Sequence, residues 1–283
     1  MGVFSLKWLV STFLLLFNTL IVPKVGTVPP PVPEPVAEPP SIAEPAPALE
    51  SDPDKPANTK LYVLMYHHFV PEGVGCNTWM VTNTRLREDL EWLASHGYAT
   101  VLPSQLASGE PLPERAVMLT FDDGYDSGYT LAYPLLQEFN ARAVISVIVS
   151  YVDDPDRDYL TWEMCREMER SGLIEIGSHT YACHEGETGI TRRKSETRED
   201  YESRVFPDLQ TSIDLIRDNL GHDPLFFAYP NGKTEAWARD FIQEHFSVTV
   251  TTRHGAWDTA KGLYGMRRCN VSMDVPVWDI LPE

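Results

Sequence analysis

The chain carries acids and imidazoles at three places where apolar runs end. Asp122 and Asp123 close the stretch T-F-D-D-G (120–124), at the end of the run A-V-M-L-T-F (116–121). Neighbouring carboxylates repel each other, and neither suits a core. Either the pair caps a helix, or something positive lies between them. His179 and His184 come after L-I-E-I-G-S (173–178), and His67 and His68 directly follow L-Y-V-L-M-Y (61–66). A lone buried histidine is most simply a satisfied core residue. Two imidazoles with one carboxylate, however, form a donor set for a catalytic zinc ion that leaves a position open for water. With Asp123 as the carboxylate ligand, the cation lowers the cost of ionising Asp122 beside it, and Asp122 can take the proton of an acidified water.

Spacing sets two conditions on this arrangement. Five positions along a regular helix turn a side chain by about 140°, so His179 and His184 must be brought together by a loop. Neighbours on a strand point to opposite faces, so Asp122 and Asp123 share one opening only if the chain turns sharply there, which Gly124 permits.

The elements that must hold these groups alternate between strand and helix. Besides the three runs above, strands are expected at 98–102, 143–149, 225–229, 247–252 and 265–271. Helices are expected at 84–96, ended by Gly97, and around Leu131–Phe139, with Pro134 in its first turn. Others run from a Thr161 cap to Ser171, from after Pro207 to Leu220, and over 235–246. Such alternation with few hairpin signals implies parallel strands joined by crossover helices. Seven or eight strands suggest an α/β fold closed as a (β/α) barrel, with its active groups at the strands' C-terminal ends.

Ahead of this domain, Lys7 precedes the apolar segment Trp8–Val22. Fifteen residues are short for a spanning helix of roughly 20 and fit an export signal. Residues 1–24 are therefore expected to be a signal peptide or a retained membrane anchor. Residues 25–59 are expected to be a disordered linker, since 29–56 hold eleven prolines. The working domain is then 60–283, outside the cytoplasm, secreted or anchored at the cell surface. A formal net charge of −18 argues against nucleic acid as a partner, and a monomer is expected. Cys76, Cys165, Cys183 and Cys269 show no C-x-x-C spacing, which argues against a cysteine-based zinc site, and an exported chain permits them to pair in any of three ways.

T-F-D-D-G (120–124), G-S-H-T-Y-A-C-H (177–184) and F-A-Y-P-N-G (227–232) resemble the motifs of the polysaccharide deacetylases, the NodB-homology fold of carbohydrate esterase family 4. The five-residue histidine spacing is similar to that of the poly-N-acetylglucosamine deacetylase branch. The resemblance spans about 60–270. It implies a distorted barrel of about seven strands that removes acetyl groups from polysaccharides. It also implies Asp122 as base, Asp123, His179 and His184 as metal ligands, and the backbone N–H of Asn231 as oxyanion donor. The metal implied is zinc, with cobalt, nickel or manganese as alternatives. The late L-x-H motif that carries the family's general acid is missing; V-L-M-Y-H (63–67) resembles its permuted form, so His67 is the candidate acid and His68 the alternative. Ala228 stands where the family has an arginine that orients the catalytic acid, and Arg268 is the candidate substitute. Tyr229 and Trp257 are candidate sugar contacts; Trp162 and Trp237 could also stack on sugar rings, with core packing the alternative, favoured for Trp237 on its helix.

The function expected is metal-dependent removal of N-acetyl groups from an extracellular or cell-wall polysaccharide. The alternatives are an O-acetyl esterase of the xylan type using the same site, a non-catalytic cell-wall carbohydrate-binding module, and a structural surface protein.

Overall fold

The structure is a computed structural model that describes residues 58–184 and 188–283. The signal or anchor expected at 1–24, and all but the last two residues of the linker at 25–59, lie outside the described residues. None of the described helices is long and apolar enough to cross a membrane.

The chain opens with β1 (Lys60–Tyr66), β2 (His68–Val70) and β3 (Met80–Thr82), then α1 (Asn83–Ser95), β4 (Ala99–Thr100) and α2 (Pro103–Ala107). β5 (Ala116–Phe121), α3 (Tyr133–Phe139), β6 (Ala143–Val147), α4 (Trp162–Arg170) and β7 (Ile174–Ser178) follow. The last part comprises α5 (Arg198–Leu220), β8 (Phe226–Ala228), α6 (Arg239–His245), β9 (Val248–His254), β10 (Trp257–Asp258), β11 (Met266–Asn270) and α7 (Val277–Ile280). Seven strands pair in parallel in the order β1-β11-β9-β8-β7-β6-β5, and β5 pairs back onto β1 from Leu61↔Ala116 to Tyr66↔Phe121. The sheet is thus closed into a barrel, as the alternating pattern implied, and closure removes free strand edges.

Alternation along the strands divides the core into two layers. Leu61 and Val63, Ala116 and Met118, Phe226 and Ala228, Val248 and Val250, and Met266 face one another inside the barrel. Val101 and Leu106 pack with them, so α2 fills the end where the strands start. Their outward neighbours, among them Leu64, Leu119, Ile145 and Ile176, pack under the helices.

Several boundaries differ from expectation. The strand expected at 98–102 keeps only two residues, because Pro103 opens α2. The segment expected as a helix at 235–246 begins with a tight turn, Ala236–Ala238, before α6. The largest difference is α5, expected to start after Pro207 but running through it for 23 residues. Thr197 caps the helix by accepting from the Asp200 N–H, and Tyr201 and Val205 extend the buried stripe of Leu209, Ile213 and Ile216. An interior proline costs a helix about 3 kcal/mol, and burying those two side chains at about 1.5–3 kcal/mol each offsets it. All four cysteines are free thiols.

Candidate active site

Parity explains how the two acids reach one opening. Asp122 continues the inward series of Ala116, Met118 and Thr120 and lies 2% exposed at the barrel mouth. Asp123 would face outward on a continued strand, but its φ of +73° breaks the alternation and swings its carboxylate to the same side. Thr180, after β7, has a φ of +76° and Asn231, after β8, one of +54°. Left-handed backbone is costly for residues other than glycine, most of all for a β-branched one. At the first two positions it is held by the end of β6: Ile148 N–H donates to Asp123 O and Val149 N–H to Thr180 O.

Asp123, His179 and His184 present three donor atoms that all lie within 4.8 Å of one another. Asp123 Oδ1 stands 3.5 Å from Nε2 of each histidine. His179 Nδ1 lies 2.7 Å from the Ala228 carbonyl. A carbonyl only accepts, so Nδ1 carries the proton and Nε2 offers a lone pair. Burial pulls His179 down to a pKa of about 3, against the opposing pull of Asp122, which keeps the ring neutral. A lone pair therefore faces the buried Asp123 Oδ1, which has no hydrogen-bond donor among the described residues. Burial first, then Asp122, raises Asp123 to about 7 when nothing neutralises it. Zinc ligands at 2.0–2.1 Å from one tetrahedral centre stand roughly 3.3–3.4 Å apart. The residues present thus fit a divalent cation, in both spacing and charge.

The loop between the two histidines has its own anchor. Asp208, on α5, accepts from the backbone N–H groups of Tyr181, Ala182 and Cys183 at 2.8–3.0 Å. This carboxylate fixes the turn that carries His184 back towards His179, which a helical path would not do.

Asp122 is held from three sides. The Arg268 guanidinium meets both carboxylate oxygens at 2.7 Å, and Ser146 Oγ donates to Oδ1 at 2.8 Å. Arg268 is 1% exposed, and its Nε donates to the Thr251 carbonyl. Burial alone would raise Asp122; Arg268, with smaller contributions from the neighbouring imidazoles, outweighs burial and holds it well below the usual carboxylate range. His67 Nε2 lies 4.0 Å from Asp122 Oδ2, and the Trp79 ring packs 4.7 Å from the His67 ring. Burial lowers His67 to about 4, against the raising effect of Asp122. His68 points the other way, to Ser127 Oγ at 3.1 Å and the Tyr125 ring at 4.6 Å.

The structure thus gathers Asp122, Asp123, His67, His179, His184 and Arg268 at one end of the barrel. Asn231 lies in the turn after β8, next to the strand whose Ala228 holds His179. Tyr229 and Trp257 are not part of this group. The Tyr229 ring packs outward against Phe227. Trp257 pairs with Leu61, six residues before His67 on β1, about 20 Å away at 3.3 Å per residue. Trp237 packs with the core, as its helix position suggested, and Trp162 does so too. Three residues of the site were not apparent in the sequence. Ser146 left a trace, a single hydroxyl at an inward position of the run A-V-I-S-V. Trp79 and Asp208 left none, since only the fold brings them near His67 and the histidine loop.

A parallel barrel with a buried acid–arginine pair beside an Asp-His-His cluster defines a hydrolase-type centre. A profile of the family described as polysaccharide deacetylase matches residues 109–248. The chain is 30% identical over 225 residues to YxkH of Bacillus subtilis (strain 168), named for that family, covering 77% of this chain and 73% of that protein. It is 33% identical over 214 residues to the poly-beta-1,6-N-acetyl-D-glucosamine N-deacetylase of Escherichia coli (strain K12). That match covers 64% of this chain but 32% of the relative, so the chain spans about a third of that protein's length. Similar solved structures include IcaB from Ammonifex degensii, at 26% identity and a TM-score of 0.65 over 77% of this chain and 94% of that one. The deacetylase domain of BpsB from Bordetella bronchiseptica matches at 27% and 0.64, over 77% of this chain and 98% of that domain. The chain belongs to the polysaccharide deacetylase family, with the NodB-type barrel.

Proposed function

We propose that this protein is a metal-dependent, extracytoplasmic deacetylase that removes N-acetyl groups from a polysaccharide of N-acetylated amino sugars. The observation that carries the metal dependence is the meeting of Asp123 Oδ1 and two imidazole Nε2 atoms at 3.5 Å, with His179 turning a lone pair rather than a proton towards the carboxylate. The names of the Escherichia coli relative and of the BpsB domain support the reaction class. The apolar segment at 8–22 and the proline-rich stretch after it support a site of action outside the cytoplasm.

Asp123, His179 and His184 would hold the ion, and zinc suits two nitrogens and one oxygen. Bound there, the ion would act as a Lewis acid towards a water molecule and the acetyl carbonyl. Asp122, kept ionised and oriented by Arg268 and Ser146, accepts the proton of the attacking water. The backbone N–H of Asn231 faces the charge that develops on the carbonyl oxygen. The proton taken by Asp122 passes to His67, whose Nε2 stands 4.0 Å away, and His67 delivers it to the departing nitrogen, which leaves the ring neutral again. Trp79, 49% exposed beside His67, offers a face for the sugar ring. The products are acetate and a glucosamine unit, which is cationic at neutral pH and suited to an acidic protein.

Acetate release from N-acetylglucosamine oligomers and from acetylated xylan, with zinc and with a chelator, tests this reading. Metal-dependent release from the oligomers is expected. Release from xylan alone would make the protein an O-acetyl esterase, and release from neither would favour a binding module. A metal count on His179→Ala, expected to fall to zero, tests the ligand set independently of turnover.

A further inference from the structure

A second cavity, of about 360 Å³, lies on the outside of the barrel wall. Its lining includes Arg239, Arg253 and Arg267 together with Trp257 and Tyr264. Arg253 has the outward parity of β9, opposite to the inward Val248 and Val250, and Arg267 that of β11, next to the inward Arg268. The wall itself therefore separates this cavity from Asp122. None of the three guanidinium groups makes an ion pair or side-chain hydrogen bond with a described residue. The cavity's acid, Glu235, is engaged elsewhere: Oε1 accepts from the Trp237 N–H and Oε2 from the Arg192 N–H. Three unpaired arginines converging on one concavity are unexpected in a chain of net charge −18.

The remaining lining indicates what they would meet. Trp257 donates its indole N–H to the Gly262 carbonyl, which pins the ring in place. Tyr264 is 41% exposed and reaches the Gln243 carbonyl of α6 with its hydroxyl, bridging one side. Aromatic faces beside polar groups suit a sugar ring, and guanidinium forks suit a carboxylate or phosphate bidentately. The volume falls at the small end of ligand pockets, enough for a single ring but not for a folded partner.

We propose that this cavity is a non-catalytic site for an acidic sugar unit, a ring that bears a carboxylate or a phosphate. D-glucuronate and glucose 6-phosphate distinguish the two anions, D-glucose is the neutral control, and inorganic phosphate is the anion without a ring. Each is titrated into the full chain, following the indole N–H resonance of Trp257, assigned with Trp257→Phe. A saturable shift is expected with at least one acidic sugar and none with glucose. Affinity should fall at least tenfold in Arg253→Gln/Arg267→Gln, whose exposed substitutions leave the fold intact, and should weaken as salt rises. No shift with either acidic sugar, an equal shift with glucose, or unchanged affinity in the double variant would overturn the proposal. Inorganic phosphate binding as tightly as the best acidic sugar would overturn the assignment of a ring. The readout is binding alone, so it stands or falls separately from acetate release, which the double variant should retain on short neutral oligomers.

Discussion

Replacing Arg268 with methionine isolates the group on which the proposed base depends. The substitution keeps an apolar stem of similar reach and deletes the fork that meets both oxygens of Asp122 at 2.7 Å. Asp122 is then a buried carboxylate with Ser146 Oγ as its remaining close donor. Removing one partner of a buried ion pair costs about 3–5 kcal/mol, because the other charge is left without compensation. Urea unfolding at pH 7 should register a loss of that size. The sign of its pH dependence follows from the direction of the shift. Asp122 titrates below its unfolded value in the native protein, so its stabilising contribution is complete above the ordinary carboxylate pKa of about 3.9 and fades below it. In the variant, burial dominates and raises the same carboxyl. The gap between the two proteins therefore narrows as pH falls, first as the variant's carboxyl takes up a proton, then as the wild type loses its own contribution. Asp122→Asn/Arg268→Met removes both charges and should recover most of the lost stability. On acetate release at pH 7, a base that is neutral and unanchored should cost Arg268→Met at least about 100-fold, or about 2.7 kcal/mol at 1.36 kcal/mol per factor of ten. Stability within about 1 kcal/mol of wild type, with a rate within about threefold, would refute the pairing as the source of Asp122's ionisation.

Asp89, fully buried, accepts from Tyr66 Oη at 3.0 Å and Val277 N–H at 3.3 Å, and burial raises its pKa to about 7. A raised folded-state value means its contribution is present below about pH 4 and is lost as pH rises through 7, by up to about 4 kcal/mol. Asp89→Asn should flatten that slope in melts from pH 4 to 8 and be the more stable protein at pH 8; an unchanged slope would discount the shift. Asp208→Ala deletes the acceptor for three N–H groups in the histidine loop and should weaken zinc binding about 10–100-fold in a chelator competition, an effect absent if the loop holds itself. Gly232 has a φ of +67°, and a Cβ there would stand 2.5 Å from the Thr252 backbone nitrogen. Gly232→Ala should therefore cost more than about 2 kcal/mol by denaturation and lower acetate release by displacing Asn231; a variant as stable and active as wild type would contradict this.

Much of the barrel was legible because its signals are local. A six-residue apolar strand such as Ala116–Phe121 and a threonine cap such as Thr161 state their structure within a few positions. The limits of that locality show at α5, where Pro207 reads as a helix start although packing further along overrides it. The cluster of Asp123, His179 and His184 was legible for a related reason: three groups that follow two parallel strands must share one opening once the sheet closes. Contacts across the barrel obey no such rule. Arg268 and Asp122 lie 146 positions apart, and nothing in the residues near Arg268 marks its partner. Only a resemblance lacking its usual arginine called for a substitute.

That substitution has a physical consequence. Ala228, where the family's arginine would stand, leaves β8 free of charge, and its carbonyl orients His179 at 2.7 Å. Arg268 instead reaches Asp122 from β11, fixed by its Nε bond to the Thr251 carbonyl on β9. Arg268 therefore enters from the β11 wall, while Asp123 follows β5 and the two imidazoles follow β7. The arginine's charge acts most strongly on Asp122, the proposed base, and reaches Asp123 and His179 as a lesser influence. Moving the arginine back, as Ala228→Arg/Arg268→Ala, should restore neither activity nor stability, because Ala228 is fully buried against the barrel interior and has no room for a guanidinium. A functional swapped variant would show that the position of the cation is interchangeable, and that the wall it enters from carries no meaning.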